Sequence, residues 1–233
     1  MDLFLETLAR RWYVVAFLIV YAAASVPDRG WLATVRFWLI AAGVAFAAEY
    51  SSTRNGFPFS EYAYTGATRG EELYLSNVPA FVPFSYATMI YAGRSLAGRI
   101  TRAWSGWRLV VAGGIATMAI DVVVDPVAVR GDQWFLGELF HYANGQFFGV
   151  ALGNFAGWVL VGAFVIGVDL LFERGPAPSP SGLGLAAGVL AFNVVMGLVI
   201  GATLAVLVSA LCATAILAAL VPFRARTPME VPT

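Results

Sequence analysis

Residues 175–223 read GPAPSPSGLGLAAGVLAFNVVMGLVIGATLAVLVSALCATAILAALVPF, and from Gly175 to Phe223 no side chain is charged. A membrane-spanning helix needs about 20 predominantly apolar residues, so this stretch has length for two. One unbroken 40-residue helix would be about 60 Å long, twice the hydrocarbon thickness. A break is therefore expected, and Gly201 is the natural place for it. The Pro/Ser/Gly run at 176–182 reads as a short linker before the pair.

The rest of the chain agrees with that stretch. Apolar residues make up 60% of the sequence and charged residues 12%, against about 25% charged in soluble domains. A protein of 233 residues cannot hide so much apolar surface in its own interior, so lipid must cover the excess. The expected fold class is all-α, a polytopic bundle of about seven transmembrane helices, at 10–26, 31–49, 78–97, 107–127, 147–172, 182–200 and 203–222. Residues 1–26 share features with a signal peptide, with Arg10 and Arg11 ahead of an apolar run, but read better as the first helix. Pro27-Asp28-Arg29-Gly30 reads as a turn. No internal repeat is visible, and residues 1–233 form one transmembrane domain. The expected location is the inner membrane, crossed several times.

Net charge is zero, with 14 basic residues against 14 acidic ones. No basic block suggests nucleic acid as a partner. Cys212 and His141 are the only residues of their types, which excludes Cys/His zinc sites and histidine-rich di-iron sites by count. No metal ligand set is expected.

Two connections are too long and too aromatic for simple loops, 50–77 and 128–146. In a seven-helix alternation both lie at the same end of the bundle. The connection 94–108, with Arg94, Arg99, Arg102 and Arg108, lies at the other end. The positive-inside rule puts it in the cytoplasm, although Arg10 and Arg11 argue the opposite.

The ionisable residues inside the spans carry the chemistry. Asp121 and Asp125 sit at i and i+4 on one face of the fourth helix. Each costs about 2.5–3.5 kcal/mol at mid-membrane on insertion scales, and as neighbours they repel when both are charged. Glu49 closes the second helix at the same end. Each also has a plainer reading: Glu49 snorkelling into water, Asp121 as a structural partner, Asp125 marking the membrane edge before Pro126. Glu138 and His141, at i and i+3, match half of a carboxylate di-metal set, whose second half is absent. They read instead as a polar re-entrant or interfacial helix, with His141 a possible general acid or base. Asn154 and Asn193 are intramembrane amides suited to interhelical hydrogen bonds, and Gly149, Gly153 and Gly157 form a small-residue face for helix packing. Phe57, Phe59, Tyr62, Tyr64, Trp134, Phe147 and Phe148 form an interfacial belt or line a slot for a long apolar ligand.

Four strings, in order, resemble the membrane carotenoid 1,2-hydratase family (CruF-type, with the archaeal bisanhydrobacterioruberin hydratases). They are Glu49-Tyr50-Ser51-Ser52-Thr53-Arg54-Asn55-Gly56-Phe57-Pro58-Phe59 with Tyr62-Ala63-Tyr64; Asn77-Val78-Pro79 with Pro83-Phe84-Ser85-Tyr86; Asp121-Val122-Val123-Val124-Asp125-Pro126; and Phe148-Gly149-Val150 with Asn154-Phe155-Ala156-Gly157-Trp158. The resemblance covers about 40–170. Ser60 stands where a Gly is expected, Ala151 where a Pro is expected, and 135–146 departs around Glu138 and His141. The resemblance implies addition of water to the terminal 1,2 double bond of an acyclic carotenoid (lycopene, γ-carotene or a C50 relative), giving a tertiary alcohol without a redox cofactor. The residues agree in one respect: with no nucleotide-binding glycine loop, haem signature or histidine set, oxygen added to a lipid comes from water. Asp121 would then protonate the alkene, aromatic faces would stabilise the cation, and Asp125 or Glu49 would orient and deprotonate the water. Phe57, Phe59, Tyr62, Tyr64, Trp134, Phe148 and Asn154 would bind the substrate. Two other classes stay open. A magnesium-dependent prenyltransferase would use Asp121 and Asp125 on a metal–diphosphate, with only Glu71-Glu72 as a second cluster. A transporter would relay protons through the acids.

Overall fold

The computed structural model describes residues 2–172 and 180–221. Seven α-helices run in the order α1 (Leu3–Arg10), α2 (Trp12–Asn55), α3 (Phe81–Thr101), α4 (Gly106–Ala128), α5 (Leu152–Phe172), α6 (Pro180–Val199) and α7 (Thr203–Ala219) among the described residues. Four of them, α2, α4, α5 and α6, are long and apolar enough to cross a membrane. The bundle is apolar on the outside as well as within: Leu171 is 82% exposed and Leu32 79%. Such a surface suits lipid and not water.

The seven expected helices are all found, with shifted ends. The first two are the arms of α2, and only Gly30, at φ +79°, leaves helical geometry between them. The expected turn at 27–30 is thus a kink, and its two charged side chains reach partners on other helices. Tyr91 donates to Asp28 at 2.9 Å, and Arg29 donates to Asp169 of α5 at 2.7 Å. The third helix starts at Phe81, not 78, because Val78–Pro79 is a short strand, β3, paired with β2 (Tyr74–Leu75). The fifth starts at Leu152, not 147, because Phe147 and Val150 bond each other across a tight turn. Gly201, at φ +74°, separates α6 from α7. The linker expected at 176–182 lies, as far as Ser179, outside the described residues.

Helices α3 and α4 form the interior of the bundle, and α3 is shielded by its neighbours. Helix α3 packs on α2, α4 and α6, and that shielding from lipid explains how it carries Arg94, buried, in mid-chain. Glycines set the closest approaches. A Cβ at Gly93 would lie 2.7 Å from the Thr117 backbone nitrogen, and Gly114 and Gly162 meet where α4 crosses α5. Both expected long loops fold onto one end of the bundle. There β1 (Tyr62–Tyr64) pairs antiparallel with β4 (Phe140–Tyr142), aligning Tyr62 with Tyr142.

The glycine face at 149, 153 and 157 serves this loop and not a neighbouring helix. Gly149 lies outside α5 at φ +95°, Gly153 faces Ser60, and Gly157 faces Phe59 and Pro58. A Cβ at Gly157 would sit 2.7 Å from the Pro58 carbonyl oxygen. Gly157→Val is therefore expected to lower stability by about 1–3 kcal/mol, the usual cost of overpacking. Thermal unfolding in detergent measures it, and an unchanged midpoint would show that the loop yields freely. Ser60, where a glycine was expected, has φ +71°, the left-handed region that glycine occupies without strain.

Candidate active site

Three helices and the β1–β4 pair bring the intramembrane carboxylates around one cavity of about 210 Å³. Helix α2 runs on to Asn55, where Gly56 caps it in the left-handed conformation. Glu49 therefore lies inside the helix, not at its end, and is 5% exposed. Asp121 and Asp125 project from the same face of α4, and Asn154 reaches them from the first turn of α5. Its Nδ2 donates to Asp121 Oδ2 at 2.8 Å and to Asp125 Oδ2 at 2.9 Å. Of the two expected interhelical amides, Asn154 is one. Asn193 instead donates to Val189 in its own helix at 2.9 Å, and also lines the cavity.

The hydrogen bonds distinguish the three acids. Both oxygens of Glu49 accept phenolic protons, Oε2 from Tyr64 at 2.7 Å and Oε1 from Tyr86. Asp125 Oδ2 accepts from Asn154 and, at 3.3 Å, from Tyr142. Burial, and secondarily the nearby carboxylates, push the Tyr64 and Tyr142 phenols well above their usual range, so both remain donors at neutral pH. Asp121 is fully buried, and its Oδ1 has no partner. Asp121 is thus a fully buried acid with one free oxygen, Asp125 accepts through Oδ2 alone, and Glu49 is arranged as an acceptor on both sides.

Aromatic rings wall the rest. Trp158, one turn after Asn154 on α5, stacks on Tyr86 with centroids 4.5 Å apart and planes 18° apart. Phe59 lies 5.7 Å from Trp158. Phe59, Tyr62, Tyr64, Trp134 and Asn154, all expected in a binding set, line the cavity together with Phe81, Tyr86 and Trp158. Tyr13 and Phe17 of α2 and Phe192 of α6 also line it. Stacked, buried rings beside carboxylates form a surface that attracts a cation from its face.

A family model described as "Carotenoid biosynthesis protein" matches residues 10–221. The chain belongs to that family. Over 152 residues this carotenoid biosynthesis protein is 31% identical to the bisanhydrobacterioruberin hydratase of Haloarcula japonica, an alignment covering 64% of this chain and 47% of that protein. The chain thus spans about half the length of the curated relative it matches. No solved structure matches it.

Four expected site residues lie elsewhere. Phe57 is 65% exposed, because the chain turns at Gly56 and aims the next inward ring from Phe59. Phe148 is off the cavity wall, in the turn before α5, where its carbonyl accepts from Arg130 at 2.8 Å. Glu138 and His141 are exposed, and they do not share a helix face: His141 is in β4, opposite Ala63. The expected re-entrant helix is absent there because the segment pairs as a strand. Glu71 and Glu72, the second cluster a metal–diphosphate site would need, are held by Arg10 and Arg11. Among the described residues no Arg lines the cavity, so nothing basic waits for a diphosphate.

Tyr86, Tyr142 and Trp158 were missed as individual functional residues. Tyr86 and Trp158 lie within the strings that carried the family resemblance, so position beside Glu49 and Asp121 was the available signal. Tyr142 shows no signal of its own until β4 is paired.

Proposed function

We propose that this protein is a carotenoid hydratase, adding water to the terminal 1,2 double bond of an acyclic carotenoid end group to give a tertiary alcohol. The observation that carries the reading is the buried Asp121 Oδ1, unpartnered in an apolar, ring-walled cavity. A proton donor there meets an alkene and no competing base from solvent. The hydratase relative and family membership support the same reading. Pockets enclosing a whole drug-sized ligand measure about 300–1,000 Å³; this one, at about 210 Å³, suits the end of a long polyene whose remainder lies among the helices and lipid.

The roles follow from the hydrogen bonds. Asp121 transfers a proton to the CH carbon of the alkene, leaving the cation on the dimethyl carbon. The faces of Tyr86 and Trp158 and the charge of Glu49 stabilise that cation as it develops, in a site already oriented to receive it. Tyr64 and Tyr86 hold Glu49 in place, so its task is charge and not proton transfer. Water closes on the cation, and its proton returns to the aspartate pair. The scheme uses no redox cofactor. The protein works as one transmembrane unit crossing the inner membrane several times, so the polyene reaches the site from lipid.

Expression in a lycopene-producing host tests the proposal. The pigment is expected to gain one or two molecules of water, with the alcohol oxygen labelled by heavy-oxygen water. Label from molecular oxygen instead, or unaltered lycopene, γ-carotene and C50 substrates, would remove the proposal.

A further inference from the structure

The cavity wall carries a second residue with a buried, unpartnered polar atom. Thr88 of α3 is 4% exposed, lines the cavity, and its Oγ1 makes no hydrogen bond. A helical threonine ordinarily donates to the carbonyl one turn back, as Thr117 does to Gly113 and Thr101 to Ala97, both at 2.8 Å. For Thr88 that carbonyl belongs to Phe84, which already accepts from Trp38 Nε1 at 3.0 Å. The hydroxyl is left for the cavity. The antiparallel helices α3 and α4 touch at Gly93 and Thr117. One turn further along each, Met89 comes opposite Asp121, with Thr88 beside it. In folded proteins at least nine in ten buried polar groups find a protein or water partner. Two orphans on residues that line one cavity, brought near one another by the α3–α4 register, therefore mark the place of a third molecule.

We infer that Thr88 Oγ1 and Asp121 Oδ1 hold the water that is added to the alkene, with Thr88 as its positioning residue. This deepens the hydratase reading and rests on it. In the step, the Asp121 O–H bond breaks and a C–H bond forms at the CH carbon. The water on Thr88 gives a lone pair to the dimethyl carbon, forming the C–O bond. Its released proton passes to Asp121 Oδ1, so the acid is restored with no net change in protonation and no redox change. A third orphan, the Tyr62 hydroxyl, lies on the loop side against the Tyr142 ring, 5.4 Å between centroids. It is the competing water position.

The inference separates proton delivery from water capture. If the cation forms but no water is held, it loses a proton from the CHD carbon or from a methyl group. In heavy water the pigment is then recovered as a deuterated alkene. Membranes from a lycopene-producing host carrying wild type, Thr88→Val, Thr88→Ser or Tyr62→Phe are assayed in heavy water for alcohol and for deuterated alkene. Thr88→Val is expected to lower alcohol about ten- to a hundredfold, as for a lost hydrogen bond to the reacting group, while deuterium still enters the alkene. Thr88→Ser is expected to restore most of the alcohol. Normal alcohol from Thr88→Val overturns the inference, and so does a parallel loss of alcohol and deuterium, the mark of a merely structural role. Capture lost in Tyr62→Phe but kept in Thr88→Val also overturns it and moves the water to the loop side. If Thr88→Val does not accumulate, Thr88→Ala carries the same comparison. A wild type yielding neither alcohol nor deuterated alkene defeats the hydratase reading itself, a distinct result.

Discussion

Asp121→Asn is expected to abolish alcohol formation while leaving a folded, membrane-inserted protein. Asparagine has nearly the same shape, and its carbonyl can accept the Asn154 Nδ2 proton that Asp121 Oδ2 accepts now. The α4–α5 contact is thus preserved. What disappears is a proton that can leave. A positioned general acid contributes about 10²–10⁴-fold, and a loss in that range is expected here. Both oxygens of Glu49 receive phenolic protons, and Asp125 accepts from Asn154 and Tyr142 on Oδ2 alone. Alcohol and deuterium incorporation should therefore fall together, unlike in Thr88→Val. Product assays on membranes with matched protein levels give the answer. Alcohol at the wild-type rate would remove Asp121 from the chemistry and leave Asp125, whose second oxygen accepts no hydrogen bond, as the next acid to examine.

The acids and Asn154 were legible in the sequence for an energetic reason. A carboxyl in hydrocarbon is costly wherever it points, so its presence alone signals use, and i, i+4 spacing places Asp121 and Asp125 on one face before any coordinates exist. Aromatic residues give no such signal. Trp158 and Tyr86 cost nothing in a membrane helix, and only the crossing of α3 and α5 makes them a stacked pair beside Asp121. Thr88 was invisible for a related reason: its orphan state depends on Trp38 occupying the Phe84 carbonyl, a contact between α2 and α3. The loops misled in the other direction. Phe57 and Phe148 have the composition of cavity residues, but Gly56 and the Phe147–Val150 turn decide where they point. Glu138 and His141 looked paired only on the assumption of a helix, and the strand register opposite β1 breaks that spacing. The fold was more legible than the site because bilayer thickness fixes helix length regardless of packing.

Breaking the buried pair of Arg11 and Glu72 is expected to cost more stability than any other single change in the loops. Arg11 is 2% exposed. It donates Nε and Nη2 to the two Glu72 oxygens, each at 2.7 Å, and Nη1 to the Leu136 carbonyl at 2.7 Å. Its guanidinium also lies 4.2 Å from the Phe81 ring centroid. One side chain thus ties the start of α2 to both long loops and to the first residue of α3. Leu136 and Phe81 line the cavity, so the same clamp shapes the substrate site. Removing one member strands a buried charge, which costs about 3–5 kcal/mol, whereas replacing both members with apolar residues is often neutral or better. Arg11→Met alone should therefore lower the unfolding temperature in detergent sharply, and Arg11→Met with Glu72→Leu should recover much of the loss. Arg11→Lys should fall between wild type and Arg11→Met, since an ammonium keeps the charge but not the two-pronged geometry. If the double variant is as unstable as the sum of its singles, the two charges are not coupled, and the rim of the cavity is held by its apolar contacts alone.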